Sequence, residues 1–230
     1  MQANPAKICI YGRSGMGKSC LMNRLVRSHR RVILFDHIEE RSTEAQKEGF
    51  QEVTCLKELQ DLIEKNYRKG FRYWYHPNFR EGLVKRLSEL SDLLLHIQEE
   101  YGKTLKEAGK SIKNRPSLML AVDELKASAP NRALKDDEDM FSFMCSEGRH
   151  KGIHLVGATQ RPAEITTKFR GQMEDYYIFN LQEPRDYDAI EALGGKKHGK
   201  ELAEIVRELK PLEYIRMHSN VFTKGKITFS

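Results

Sequence analysis

The chain lacks the patterns that would mark it as disulfide-stapled, zinc-bound or membrane-spanning. Its four cysteines, Cys9, Cys20, Cys55 and Cys145, are scattered through 230 residues, with no C-x-x-C pair and no histidine at zinc spacing. They read as reduced thiols of a cytosolic protein, most of them packing residues. No apolar run approaches the roughly 18 residues that a membrane span requires. The N-terminus, Met1-Gln2-Ala3-Asn4-Pro5, has neither the basic start nor the apolar stretch of a signal peptide, so nothing directs export. There is no internal repeat and no low-complexity segment. Charge is not strongly one-sided: a net +6 implies only solubility and a mild attraction to polyanions. What is present, 39% hydrophobic and 31% charged residues, suits one α/β domain over residues 1–230.

The most informative segment is Gly12-Arg13-Ser14-Gly15-Met16-Gly17-Lys18-Ser19, which fits G-x-x-x-x-G-K-[ST]. It directly follows Lys7-Ile8-Cys9-Ile10-Tyr11, a short apolar run of the kind that forms a buried strand. A glycine-rich turn between a strand and a helix aims backbone N–H groups and a helix N-terminus at one point, where a phosphate can sit. Gly12 to Cys20 is therefore the nucleotide-binding segment, with Lys18 reaching the β- and γ-phosphates and the Ser19 hydroxyl on magnesium.

Periodicity orders the rest. A helix from Lys18 to Arg30 leads into a second buried strand, Arg31 to Asp36, which opens a parallel sheet. A short strand near Glu52 to Cys55 and a helix over Leu56 to Arg68 follow. The alternating aromatics Phe71-Arg72-Tyr73-Trp74-Tyr75 predict a core strand, with a base-stacking platform for DNA as the alternative. A long helix is expected from Phe79 to Tyr101, and an exposed connection from Gly102 to Pro116. Ser117 to Glu124, an apolar run closed by two carboxylates, reads as a strand buried on both faces. Lys126 to Asp137 reads as a mobile loop and Asp137 to Lys151 as a helix. Ile153 to Gln160 and Tyr176 to Asn180 are further strands, Arg185 to Leu193 and Lys200 to Leu209 helices, and Glu213 to His218 with Lys224 to Phe229 a closing hairpin. The basic clusters Arg24 to Arg31 and Lys196 to Lys200 read singly as solvated faces.

Hydrolysis of a triphosphate needs an acid near the metal and a group that orients the attacking water. Asp123 and Glu124 supply both at one strand end, Asp123 as the metal-side aspartate, directly or through water, and Glu124 as the base. The plainer alternative is an acidic pair that merely ends a strand. In a parallel sheet all strand C-termini share one edge, so Gln160 would come near the γ-phosphate as a sensor, or else only cap its strand before Pro162. Arg149 precedes that strand and starts at the opposite edge. It is either a solvated arginine or one supplied in trans to a neighbour's phosphates.

Gly12 to Ser19, Leu118 to Glu124, and the segment Gly148-Arg149-His150-Lys151-Gly152-Ile153-His154-Leu155-Val156-Gly157-Ala158-Thr159-Gln160-Arg161-Pro162 together resemble the HerA/FtsK superfamily of ring ATPases that pump DNA. The resemblance covers about residues 7–195, the motor core, with a helix and hairpin over 196–230. It implies a RecA-like P-loop NTPase of α/β class: a mostly parallel central sheet flanked by helices, with an antiparallel C-terminal hairpin. In that family the glutamine is the sensor, and the arginine before the strand is a candidate trans finger. The resemblance further implies ATP and Mg2+ as cofactors, a homo-oligomeric ring, expected as a hexamer, and double-stranded DNA as cargo. The chain has no room for an N-terminal barrel, a membrane linker or a winged helix. Its brevity, with Phe71 to Pro77 before a long helix, looks like the genome-packaging ATPases of tailless viruses with an internal membrane. That subfamily would place it in the host cytoplasm or at the packaging vertex of the virion, against capsid or portal-vertex membrane proteins. The Lys126 to Lys135 loop and the Lys196 to Lys200 cluster are the candidate duplex contacts. The alternatives are a conjugative or filamentous-phage-type export ATPase, a P-loop small-molecule kinase, and a P-loop switch without turnover.

Overall fold

The computed structural model describes residues 6–37, 47–78, 82–219 and 221–228. Among these residues nine strands form one sheet in the order β3-β4-β2-β5-β6-β1-β7-β8-β9. They are β1 (Lys7–Tyr11), β2 (Arg31–Phe35), β3 (Gln51–Val53), β4 (Phe71–Tyr75), β5 (Leu118–Val122), β6 (Ile153–Thr159), β7 (Asp175–Ile178), β8 (Glu213–His218) and β9 (Val221–Lys226). β3 through β7 are parallel, and β7-β8-β9 are antiparallel. Every residue of β1, β2, β5 and β6 is buried, which is why these strands read as unbroken apolar runs. β9 lies at the sheet edge, where none of its residues is fully buried.

Alternation along the strands divides the core in two. On one face Cys9, Tyr11, Ile33, Phe35, Leu118 and Leu120 meet the helices α2 (Leu56–Asn66), α3 (Leu83–Glu107), α5 (Met140–Glu147), α6 (Thr167–Arg170) and α7 (Pro184–Arg207). On the other, Ile8, Ile10, Val32, Leu34 and Ala121 pack on Leu21, Met22 and Val26 of α1 (Lys18–Arg27). Tyr73, Trp74 and Tyr75 of β4 are all buried, so this strand is core and offers no stacking platform. Two of the four thiols pack in the interior, Cys9 and Cys145, while Cys20 and Cys55 are exposed.

The last strand lies at Val221–Lys226 rather than over 224–229, whose final residue is outside the described residues. The structure departs further from the sequence reading in three places. The long helix runs on to Glu107, because Leu105 is a further buried anchor and Tyr101 packs tilted against Tyr67, ring centroids 4.5 Å apart. Its expected start falls at residues 79–81, outside the described residues. The remaining connection is tied down by Arg115, which donates to the carbonyls of Gln98 and His150. Second, the segment expected as a mobile loop begins with the single-turn helix α4 (Leu125–Ser128) and is pinned to a neighbouring turn: Pro130 bridges Ile165, Asn131 N donates to Glu164 O and Thr166 N to Ala129 O. Third, the helix expected over 137–151 is a short α5 between two 3-10 turns, Asp136–Glu138 and Gly148–Lys151.

Candidate functional site

β5, β6 and β1 are neighbours in the sheet, so three loops leave it side by side at the C-terminal edge. The loop after β1 is the glycine-rich turn. Gly15 and Gly17 have φ of 76° and 106°, a region that side-chain-bearing residues avoid. Gly17 is the N-cap of α1, and a Cβ there would lie 2.9 Å from Leu212. A Cβ on Gly12 would meet the Phe179 side chain at 2.7 Å. Backbone bonds hold the loop on both flanks: Gly12 N donates to Thr159 O at 3.2 Å, Arg13 N to Asn180 O at 3.0 Å, and Leu212 N to Met16 O at 3.1 Å. Asn180 in turn donates to the carbonyls of Val206 and Arg207 at the end of α7. Met16 is buried beneath the loop, whereas Arg13, Ser14 and Gly15 are exposed. The Lys18 ammonium curls back to the Arg13 carbonyl at 3.1 Å.

The loop after β5 carries the acids. Asp123 is buried, and its backbone N–H donates to Phe35 O at 3.2 Å, which ties the start of this loop to the end of β2. Glu124 is half-buried and caps α4: its Oε1 accepts from Lys126 N at 3.1 Å and from the Thr159 hydroxyl at 2.8 Å. After β6, Gln160 is exposed toward the same opening. One cleft of about 360 Å³ is lined by Ser14, Gly15, Gly17, Lys18, Ser19 and Cys20, together with Asp123, Glu124, Gln160 and Leu212. The P-loop, the acid pair and the glutamine of the sequence reading therefore share one opening.

Arg149 does not join them. It lies in the turn before β6, at the other edge of the sheet, where it pairs with Glu174 at 2.8 Å. Two residues of the neighbourhood escaped the sequence reading. Leu212 reaches the cleft from the C-terminal hairpin, in a left-handed conformation with φ of 69°. His37 follows β2: Phe35 pairs with Val122, so two positions on, His37 runs level with Glu124. Burial pushes this imidazole below the usual histidine range, Glu124 and Asp123 pull it up, and His76 adds to the lowering. Only its closeness to Asp36 at a strand end could have signalled it.

A glycine-rich turn from a central strand into a helix, with a glutamine at the end of the neighbouring strand and an acid pair at the end of the next strand beyond it, on a mostly parallel sheet, defines a RecA-like P-loop NTPase fold. Comparison with known proteins agrees with that class. The chain is 26% identical over 166 residues, 70% of its length, to the DNA translocase FtsK of Borreliella burgdorferi, of which it spans only 20%. A 92-residue stretch is also 32% identical to Tensin-4 of Mus musculus, over 12% of that protein. No protein-family model matches. Among solved structures, the genome packaging NTPase B204 of Sulfolobus turreted icosahedral virus 2, in complex with ATP-gammaS, matches with a TM-score of 0.67 over 97% of this chain and 98% of that one, at 20% identity. The pCW3 conjugation coupling protein TcpA matches with a TM-score of 0.61 over 98% of this chain and 61% of that one, at 15% identity. At such identities the structural likeness is one of fold, and with the FtsK similarity it bears out the resemblance to the HerA/FtsK superfamily.

Proposed function

We propose that the protein is an ATP-driven DNA translocase that moves double-stranded DNA, most specifically a viral genome into its capsid. The observation that carries this reading is the convergence of Lys18, Ser19, Asp123, Glu124 and Gln160 on one cleft at three adjacent strand ends. The FtsK similarity supports DNA as the cargo. The end-to-end fold match with a viral packaging NTPase supports packaging. The TcpA likeness favours conjugative DNA transfer as the second reading.

In this reading the backbone N–H groups of Gly15 to Ser19 and the Lys18 ammonium hold the β- and γ-phosphates of ATP. A hydroxyl and a buried carboxylate facing one cleft are the hard oxygen donors that magnesium prefers, so Ser19 and Asp123 fit a Mg2+ ion. When bound, that ion supplies charge neutralisation on the phosphate oxygens. Glu124 orients a water for attack on the γ-phosphorus and takes its proton as ADP leaves. Gln160 contacts the γ-phosphate and reports its loss. Arg149 serves the neighbouring subunit's site in trans, in a ring expected to be a hexamer, and its Glu174 pair is exposed enough to exchange for a phosphate. Lys126 to Lys135 and the exposed Lys196, Lys197 and Lys200 are the candidate duplex contacts, to phosphates and without base reading. The working location is the host cytoplasm or the packaging vertex.

The test is ATP turnover with and without long duplex DNA, alongside displacement of a third strand from a triplex. Duplex DNA should raise turnover several-fold, and displacement should require ATP. Turnover indifferent to duplex DNA, together with an undisturbed triplex, would remove the translocase reading.

A further inference from the structure

Three parts of the nucleotide cleft meet at Thr159, the last residue of β6, whose side chain is fully buried. Its carbonyl accepts from Gly12 N at 3.2 Å and so holds the first residue of the phosphate loop. Its hydroxyl oxygen accepts from Arg161 N at 3.1 Å, closing the turn that carries Gln160. The same hydroxyl donates to Glu124 Oε1 at 2.8 Å.

A threonine hydroxyl has one proton to give and lone pairs to receive. Because Arg161 N–H points at the oxygen and has no other direction to go, the hydroxyl proton is directed to Glu124. Glu124 Oε1 thus holds two donors from the protein, this hydroxyl and Lys126 N. Two donors on one carboxylate oxygen restrict how the Glu124 group turns. A hydroxyl that merely filled core space would need one partner. This one bonds at once to the acid and to the turn beyond the glutamine.

We infer that Thr159 is the positioning residue for the Glu124 carboxylate and couples Glu124 to the Gln160 turn. When Gln160 moves on gaining or losing its phosphate contact, Arg161 N–H moves with it. The hydroxyl follows, and Glu124 is turned into or out of line with the water. The inference rests on the hydrolytic reading of the site. It adds a residue that touches neither nucleotide nor water and acts through another.

The experiment compares Thr159→Val, which keeps the shape and loses the hydroxyl, with Thr159→Ser, which keeps the hydroxyl and loses the methyl. In Thr159→Val, kcat for ATP should fall roughly tenfold or more, while KM and the Kd of a non-hydrolysable ATP analogue stay within about threefold. Thr159→Ser should restore most of the rate. In a Glu124→Gln background the valine should cost nothing further, because the acid it orients is already gone. Amide exchange at Arg161, read by NMR without nucleotide, should quicken in the valine variant and not in the serine variant. If valine prevents folding, Thr159→Ala against Thr159→Ser asks the same question, since both lack the methyl and only serine keeps the hydroxyl. Turnover of the hydroxyl-free variant close to wild type, a loss confined to KM and analogue binding, or an equal loss in the Glu124→Gln background would each overturn the inference. Absence of turnover in the wild-type chain would instead overturn the hydrolytic reading itself, and the two failures are distinguishable.

Discussion

His154, inside β6, is an imidazole placed where a proton is costly. Its Nδ1 accepts from Ala6 N at 3.0 Å, which requires that nitrogen to be unprotonated, and the ring packs edge-on against His29 at 4.5 Å. Burial, with a smaller contribution from His29, lowers its pKa from 6.5 to about 4. Above the unfolded value both states hold the ring neutral, and stability is complete. As pH falls from 6.5 toward 4 the unfolded chain takes up a proton that the fold refuses, and stability drops by at most about 3 kcal/mol. The urea midpoint should fall over that window. His154→Asn, which keeps an acceptor for Ala6, should lose this part of the acid sensitivity, and an unchanged pH profile in the variant would refute the assignment. At this scale the sequence was readable where chemistry is local: the Gly12 to Ser19 loop, the acids after an apolar run and the glutamine before Pro162 carry their meaning in consecutive residues. Leu212 and His37 were not readable, because strand register and a distant hairpin, neither written in local sequence, bring them to the site.

Among the elements, α7 shows what a pair of glycines does. Its helical run is broken at Gly195, whose φ of 68° and ψ of −176° are far from helical. The two segments fold so closely that a Cβ on Gly199 would lie 2.1 Å from the Glu191 carbonyl oxygen, a backbone atom with little freedom to retreat. Gly199→Ala should therefore destabilise the fold by about 2–4 kcal/mol, while the exposed Lys200→Ala should change it by no more than about 0.5 kcal/mol. Paired thermal unfolding checks this, and equal melting temperatures would mean that the two segments do not touch. Two helices flanking Gly194 and Gly195 were legible from the sequence, since the apolar spacing halts there. The last turns of α3 were not: Gly102 and Lys103 open a polar stretch, and its continuation depends on tertiary contacts, the burial of Leu105 together with Tyr67 and Arg115 against the turn before it.

For the whole molecule, the nucleotide edge and Arg149 lie at opposite ends of β6, so one subunit offers a site at one end and an arginine at the other. A closed ring of identical copies can use both, because each heterologous contact repeats around the circle. Native mass measurement with an ATP analogue should show a multiple of the 26.7 kDa chain, expected as six copies, and Arg149→Ala should weaken turnover more than assembly. A chain that stays monomeric with nucleotide and duplex DNA would leave Arg149 without a phosphate to serve. The parallel order of the sheet could be anticipated from strand-helix alternation. The place of β1 between β6 and β7 could not, since crossover order depends on which faces the helices cover.

The link from Leu212 N to Met16 O, with Ile227 N donating to Leu212 O behind it, also bears on how the chain is born. The phosphate loop is synthesised well before the hairpin segment that supplies one of its walls. Gly17 is packed by Leu212 and Ile227, so this side of the loop is bare until the closing hairpin is added. A nascent chain therefore holds the phosphate loop long before it holds the wall that packs on it, and the loop's final shape waits on contacts distant in sequence.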